Sequence, residues 1–288
     1  MVEPSPKTPA NPPLLETLTA QEIEVLRQLR QEYPGFDDYT LGRFMRARKG
    51  NLPKIREMFE AYLKWRQEFG TDEIYRFEFP ELPEVQTFYI HGFHKTDRFG
   101  RPIYIERYGN LNLKELFKVT TPDRMIQYYV KSYEAMLSEK YPACSAQAGF
   151  PVEQSLTILD LGGSSMKLMK KKVFNFVKIA SSICQDYYPE ILGRMFIVNT
   201  PMLFSMAWKV VKPMLDEKTR SKITMEGSKF QKKLLELVEP ENLPEFLGGT
   251  CRCPGGCMNT NPGPWNEIPP EIYANAPSRR YLEEESKQ

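Results

Sequence analysis

From residue 85 onward, short strand-like runs alternate with longer helical ones, and this alternation does most to narrow the fold. The strand candidates are Val85–Phe93, Pro102–Arg107, Ser155–Leu161, Met195–Asn199 and Lys222–Met225. The helical candidates are Pro122–Glu139, Met166–Gln185, Met202–Leu215 and Lys229–Leu237. Strands separated by helical crossovers pair in parallel, so the pattern predicts an α/β fold with a mostly parallel sheet. Asp97-Arg98-Phe99-Gly100-Arg101 reads as a turn between the first two strands, which makes that pair antiparallel and the sheet mixed.

The N-terminal part has a different period. Residues 1–18 are Pro-rich and polar and read as a mobile arm. Thr19 and Glu22 form a capping-box signature, followed by Ile23, Leu26, Leu29 and Tyr33 at near-helical spacing. A second helix is expected from Asp38, with Leu41, Phe44 and Met45 inward. A third is expected from Asn51, with Pro53 in its first turn and Gly70 as its stop. The expected organisation is therefore an arm (1–18), a helical lobe (19–84), an α/β domain (85–250) and a C-terminal tail (251–288).

Composition removes several function classes. Lys and Arg number 39 against 37 Asp and Glu, a net charge of +2, which argues against a dedicated nucleic-acid binder. No run of about 18 apolar residues predicts a membrane span, and the start of the chain has no secretory signature. The five cysteines, an odd count, are read as reduced cytosolic thiols. No phosphate loop, dinucleotide fingerprint or nucleophile elbow occurs. Gly162-Gly163-Ser164-Ser165 reads as a tight turn. No nucleophile–base pair is visible, so no enzyme and no catalytic residue is assigned.

His91 and His94 are the only histidines. On a strand their spacing sends the rings to opposite faces, so they are read as surface or hydrogen-bonded histidines, not joint metal ligands. Cys251, Cys253 and Cys257 crowd three thiols together. Tetrahedral zinc takes four ligands, and no fourth Cys or His is near in sequence. They are read as loop cysteines, and no metal site is assigned.

Three features stand out. Ser155 and Thr157 share one face of an otherwise apolar strand, where buried hydroxyls without partners cost of order 1–3 kcal/mol each. Either they bond neighbouring backbone, or this face lines a cavity that holds polar ligand atoms. Next, Pro201–Leu215 is bracketed by prolines and rich in Met, Phe and Trp. It reads as a core helix or as an amphipathic lid at a membrane surface. Finally, residues 201–233 carry eight Lys/Arg against three acids. That is a solvated face, or an attraction to anionic phospholipid worth about 1 kcal/mol per basic residue.

Together with several short motifs, these features resemble the CRAL-TRIO lipid-binding family, in particular its fungal and plant phosphatidylinositol/phosphatidylcholine transfer branch, the Sec-fourteen-like proteins. The motifs are Leu41-Gly42-Arg43-Phe44-Met45-Arg46-Ala47-Arg48-Lys49, His94-Lys95-Thr96-Asp97 with Gly100-Arg101-Pro102, and Tyr141-Pro142-Ala143-Cys144-Ser145. Further along come Tyr187-Tyr188-Pro189-Glu190, Lys212-Pro213-Met214-Leu215-Asp216 and Glu241–Gly249. The likeness runs from about residue 19 to Trp265.

The resemblance implies a helical lobe beside an α/β lobe whose sheet floors a hydrophobic pocket for one phospholipid, closed by a gating helix. Carried over residue by residue, the inositol headgroup site matches Arg48, Glu190, Thr219 and Lys222. The choline headgroup site matches Ser155, Thr157, Tyr104 and Tyr133, with Phe93 where the yeast member has a tyrosine. Ile191 stands where that member has an arginine. The gate matches Met202, Phe204, Met206, Trp208, Val211 and Leu215. The resemblance further implies a monomeric cytoplasmic protein without a cofactor that visits Golgi or endosomal membranes and presents phosphatidylinositol to a lipid kinase. A carrier of another hydrophobic ligand, such as a sterol or tocopherol, is the alternative, and a lipid hydrolase is disfavoured.

Overall fold

The computed structural model describes residues 18–109, 111–164, 171–201, 204–269 and 271. Three helices open the chain: α1 Ala20–Glu32, α2 Asp38–Ala47 and α3 Leu52–Phe69. α1 and α3 begin at the expected Thr19 and Asn51, and α2 begins at the expected Asp38 with Asp37 as its cap. The Thr19 hydroxyl accepts from the Glu22 amide while the Glu22 side chain accepts from the Thr19 amide, and Asp37 and Asn51 cap the next two. Gly70, at φ 73°, ends α3 in the left-handed region that suits glycine. Their apolar faces meet around Leu29, Leu41, Phe44, Met45, Ile55 and Phe59.

Next come α4 Leu82–Phe88, α5 Leu113–Val119, α6 Pro122–Ala135, α7 Tyr141–Ala148 and α8 Lys171–Tyr187. A π-helical turn, Met136–Lys140, links α6 to α7. Later helices are α9 Phe204–Val211, α10 Glu217–Ser221, α11 Gln231–Leu235 and α12 Pro264–Glu267. The expected arm lies outside the described residues apart from Leu18, as do residues 166–170 of the expected fourth-strand crossover.

The five strands are β1 Ile90–Thr96, β2 Pro102–Arg107, β3 Ser155–Asp160, β4 Leu192–Val198 and β5 Ile223–Met225. They form one sheet in sequential order. β1 and β2 are antiparallel across the Asp97–Arg101 turn, and every later pair is parallel. This is the mixed, mostly parallel sheet that the alternation predicts. One expected strand begins later than its sequence suggests. Val85–Tyr89 is not the start of β1. Pro83 in the first turn of α4 favours helix, and Val85 and Tyr89 are buried while Thr87 between them is exposed, which breaks the alternation of a strand.

The sheet has two unlike faces. On one, Ile103, Ile105, Leu156, Ile158, Phe196 and Val198 pack against Phe230, Leu234 and Leu247. The other faces α6, α8 and α9 across a cavity. The helical lobe is tied to this half by Trp65 of α3, stacked on Tyr187 of α8 at 4.1 Å between ring centres. It is tied again by Arg66, whose Nη1 lies 3.0 Å from Glu134 of α6. The Gly162–Ser164 segment is the expected tight turn, with Gly163 at φ 75° and the Ser164 amide donating to Leu161 O at 2.9 Å.

Candidate functional site

The cavity floor is a grid set by strand register. Phe93 pairs with Tyr104, Tyr104 with Thr157, Thr157 with Met195 and Met195 with Ile223. One residue from each strand thus stands in a single row, and all five line the cavity. Two residues further on, His91, Glu106, Leu159 and Ile197 form a second row on the same face. Ser155 and Leu192 add the beginning of a third. Strand side chains alternate, so this row pattern follows from the fact that Ile103, Ile105, Leu156 and Ile158 face the packed core. The roof comes from α6 (Tyr129, Tyr133), α8 (Ala180, Cys184) and α9 (Trp208, Val211). Counting its open mouth, the cavity holds about 1410 Å³ of space between atoms.

All five residues matched to the choline site, Ser155, Thr157, Tyr104, Tyr133 and Phe93, line this cavity. Ser155 faces the cavity and also donates to the neighbouring backbone, Ile191 O, at 3.3 Å. Tyr133 donates its hydroxyl to Tyr129 at 2.7 Å and stacks on Tyr188. Phe93 and Tyr104 lie 4.9 Å apart between ring centres.

The residues matched to the inositol site are brought together only in part. The Glu190 carboxylate, 8% exposed, lies 3.4 Å from the Lys222 ammonium and 2.7 Å from that of Lys218. Burial pushes the Lys222 ammonium down from its usual value, and Glu190 opposes this. Glu190 itself sits at φ 64°, a strained region for a residue with a Cβ. Thr219 lies on the cavity wall, and its hydroxyl donates to Asp216, the N-cap of α10. Arg48 caps α2 and is half-buried. Among the described residues, no hydrogen bond or ion pair ties it to the other three.

In the matched gate, Trp208, Val211 and Leu215 line the cavity, whereas Phe204 and Met206 do not. Met206 faces outward at 43% exposure, beside Val210 at 44%. Met202 lies outside the described residues.

Sequence reasoning missed several groups. Lys218, one turn before Lys222, holds the second oxygen of Glu190; its spacing on α10 was the available signal. Glu106 is buried on the floor and accepts from the Tyr108 hydroxyl at 2.6 Å. Burial pushes its carboxyl up from the usual range, with the Tyr108 and Tyr89 hydroxyls pulling it back. His91 lines the cavity too, with Nδ1 2.9 Å from Tyr89 O. A carbonyl only accepts, so Nδ1 carries the proton. Burial pushes the ring to about 4, so it is neutral at physiological pH.

The two histidines do face opposite sides of β1, as period-2 geometry requires, but His94 is not a surface residue. It is fully buried, and a ring nitrogen lies within 4.8 Å of the sulfurs of Cys251, Cys253 and Cys257. The fourth group absent from the local sequence is supplied from more than 150 residues away by the fold.

Comparison with known proteins places this architecture. Residues 86–249 match the CRAL/TRIO domain family. The chain is 46% identical over 232 residues to the Sec14 cytosolic factor of Schizosaccharomyces pombe, covering 80% of this chain and 81% of that one. It is also 46% identical over 250 residues to the phosphatidylinositol/phosphatidylcholine transfer protein SFH9 of Arabidopsis thaliana. That match covers 85% of this chain but only 43% of the plant protein, so the chain spans less than half of that relative. The crystal structure of Sfh5 shares the fold, with a TM-score of 0.64 at 19% identity, over 94% of this chain and 97% of that one. A sheet with one packed face and one cavity face, and a family match over most of the α/β half, lead to the same result: the chain belongs to the CRAL/TRIO family.

Proposed function

We propose that this protein binds one phospholipid in the cavity and exchanges phosphatidylinositol and phosphatidylcholine between membranes, without catalysis. The observation that carries this reading is the hydroxyl stripe Tyr104–Thr157–Ser155 on a cavity floor shared with apolar Phe93, Leu159, Met195 and Ile197, with the Glu190–Lys222 pair near its edge. Acyl chains are served by the apolar wall, while the hydroxyls offer donors to a phosphate. Tyrosine and phenylalanine faces suit a quaternary ammonium. At the second site Lys222 and Lys218 offer charge-assisted donors to a phosphate, and Glu190 accepts from inositol hydroxyls.

The relatives support this: the plant protein named above is a phosphatidylinositol/phosphatidylcholine transfer protein by name, not an enzyme. Among the described residues, no helix is long and apolar enough to cross a membrane; peripheral, transient contact with a bilayer is part of the proposal. The finer reading follows the family: the monomeric protein presents phosphatidylinositol to a lipid kinase and supports Golgi secretory traffic. Native mass spectrometry of the purified chain tests the core of it. The expected result is one phospholipid per chain, exchangeable on incubation with liposomes. An empty protein that picks up neither lipid, or one that picks up only a sterol or tocopherol, would refute it.

A further inference from the structure

We propose that Cys251, Cys253, Cys257 and His94 form a structural zinc site that staples the C-terminal segment to the edge strand of the sheet. The ligand atoms of all four lie within 4.8 Å of one another. The Cys251 and Cys253 sulfurs are 3.6 Å apart. A Zn–S bond of about 2.3 Å in a tetrahedron requires sulfurs about 3.8 Å apart, so these two already stand near the ligand spacing. They are far outside the roughly 2.05 Å of a disulfide.

The histidine is prepared for the same task. Nδ1 of His94 lies 3.0 Å from Cys257 O and must donate to it. Nε2 is thereby left with its lone pair, buried and without a partner. A buried acceptor in that condition destabilises the fold unless something takes its lone pair. A metal ion is the partner that also explains three convergent sulfurs. A ligating imidazole whose other nitrogen donates to a backbone carbonyl is the usual outer arrangement of a zinc histidine. The sulfurs have support of their own, since the Cys253 amide donates to the Cys257 sulfur at 3.5 Å. Gly255 and Gly256, at φ 80° and 96°, reverse the chain between those two cysteines.

Position assigns the role. The closed set of four protein groups leaves no open coordination position, which marks a structural and not a catalytic zinc. β1 is an edge strand, and edges need a cover. The segment after Cys257 provides it, with the Lys95 amide donating to Pro262 O at 2.6 Å. His94 follows Phe93, whose ring lies on the cavity floor and meets Trp265 from the same C-terminal segment. The metal thus holds the wall behind one end of the lipid cavity without facing the lipid.

The test uses the full chain. Expressed with zinc and purified without chelator, it is expected to carry one equivalent of zinc by elemental analysis. It should lose that zinc to a strong chelator with a lowered Tm and three newly titratable thiols, those of Cys251, Cys253 and Cys257. Stripped protein titrated with Co(II) is expected to show tetrahedral d–d bands and thiolate-to-cobalt charge transfer, saturating at one equivalent. Cys251→Ser with Cys253→Ser should abolish both signals, and His94→Gln should weaken zinc retention and alter the d–d envelope. Substoichiometric zinc together with no charge-transfer band on the wild-type chain would overturn the proposal, and that readout needs no variant to fold. Iron or copper in place of zinc, or an unchanged cobalt spectrum in His94→Gln, would overturn the assignment as stated. The lipid content of the cavity is measured separately, so failure here leaves the proposed exchange function standing.

Discussion

Glu190 holds two lysines from a strained backbone, and that combination sets what its loss would do. Its carboxylate faces Lys218 and Lys222 from a left-handed turn. In the proposed function a phosphoinositol headgroup takes over these partners. Glu190→Ala with Lys222→Ala is therefore expected to reduce inositol-lipid transfer about tenfold or more, the scale of losing one or two charge-assisted contacts of about 1.5–3 kcal/mol each. Choline-lipid transfer should stay within about twofold, because the floor row is untouched. Equal loss of both in a vesicle transfer assay would contradict the two-headgroup assignment.

Glu106 gives a second residue-scale prediction. Burial raises its pKa, so the folded state takes up a proton at a higher pH than the unfolded chain does. This position therefore costs stability at neutral pH, and the cost fades as pH falls through the raised value toward 4.5, the ordinary carboxyl value. Glu106→Gln should show a higher Tm than the parent at pH 7, with the gain shrinking at lower pH. His91, neutral and buried, is common to both proteins and cancels in the comparison. Neither Glu106 nor His91 was legible as a site residue in the sequence. Ser155 and Thr157 were, because two hydroxyls in an apolar strand break a pattern. A Glu on β2 and a His on β1 look like ordinary solvent-facing residues until the row register places them on the same cavity face as that pair.

At the scale of elements, α9 separates into two working faces. Trp208 and Val211 close the cavity, while Met206 and Val210, four residues apart, point outward beside the exposed Lys209. An exposed apolar pair flanked by lysines suits insertion among lipid headgroups. Met206→Glu with Val210→Glu is expected to leave the fold and the bound lipid in place and to slow transfer between anionic vesicles several-fold. An unchanged rate would show that this face does not meet the bilayer. Elements whose ends carry local chemistry were readable: α1 and α3 by their caps, β2 by its Pro102 start. α4 was misread as strand because seven residues show too little periodicity to separate the two states, and only packing against Leu116 and Met125 decides it. The meeting of His94 with the cysteines was unreadable for another reason: it depends on how the chain returns to β1 after the whole sheet has formed.

For the whole molecule, a ligand that fills one face of the sheet is linked to folding. A ligand bound only by the native state adds about 2.7 kcal/mol at a hundredfold excess over Kd, which for a chain of this size raises Tm by roughly 4–5 °C. Delipidated protein should therefore melt lower, and added phosphatidylinositol or phosphatidylcholine should restore the difference in differential scanning fluorimetry. Absence of any shift with both lipids would mean that the cavity is not their site.

The alternation along β3 has a consequence for how such a chain can change over time. Ser155, Thr157 and Leu159 face the cavity, and Leu156 and Ile158 face the packed core. Point substitutions at the first set can retune what is carried while the second set keeps the protein folded. A single-residue deletion within the strand would exchange the two sets at once, driving isoleucine and leucine toward the headgroup and hydroxyls into the core. Mutational scans should therefore find this strand tolerant of replacement at every other position and intolerant of any change in length.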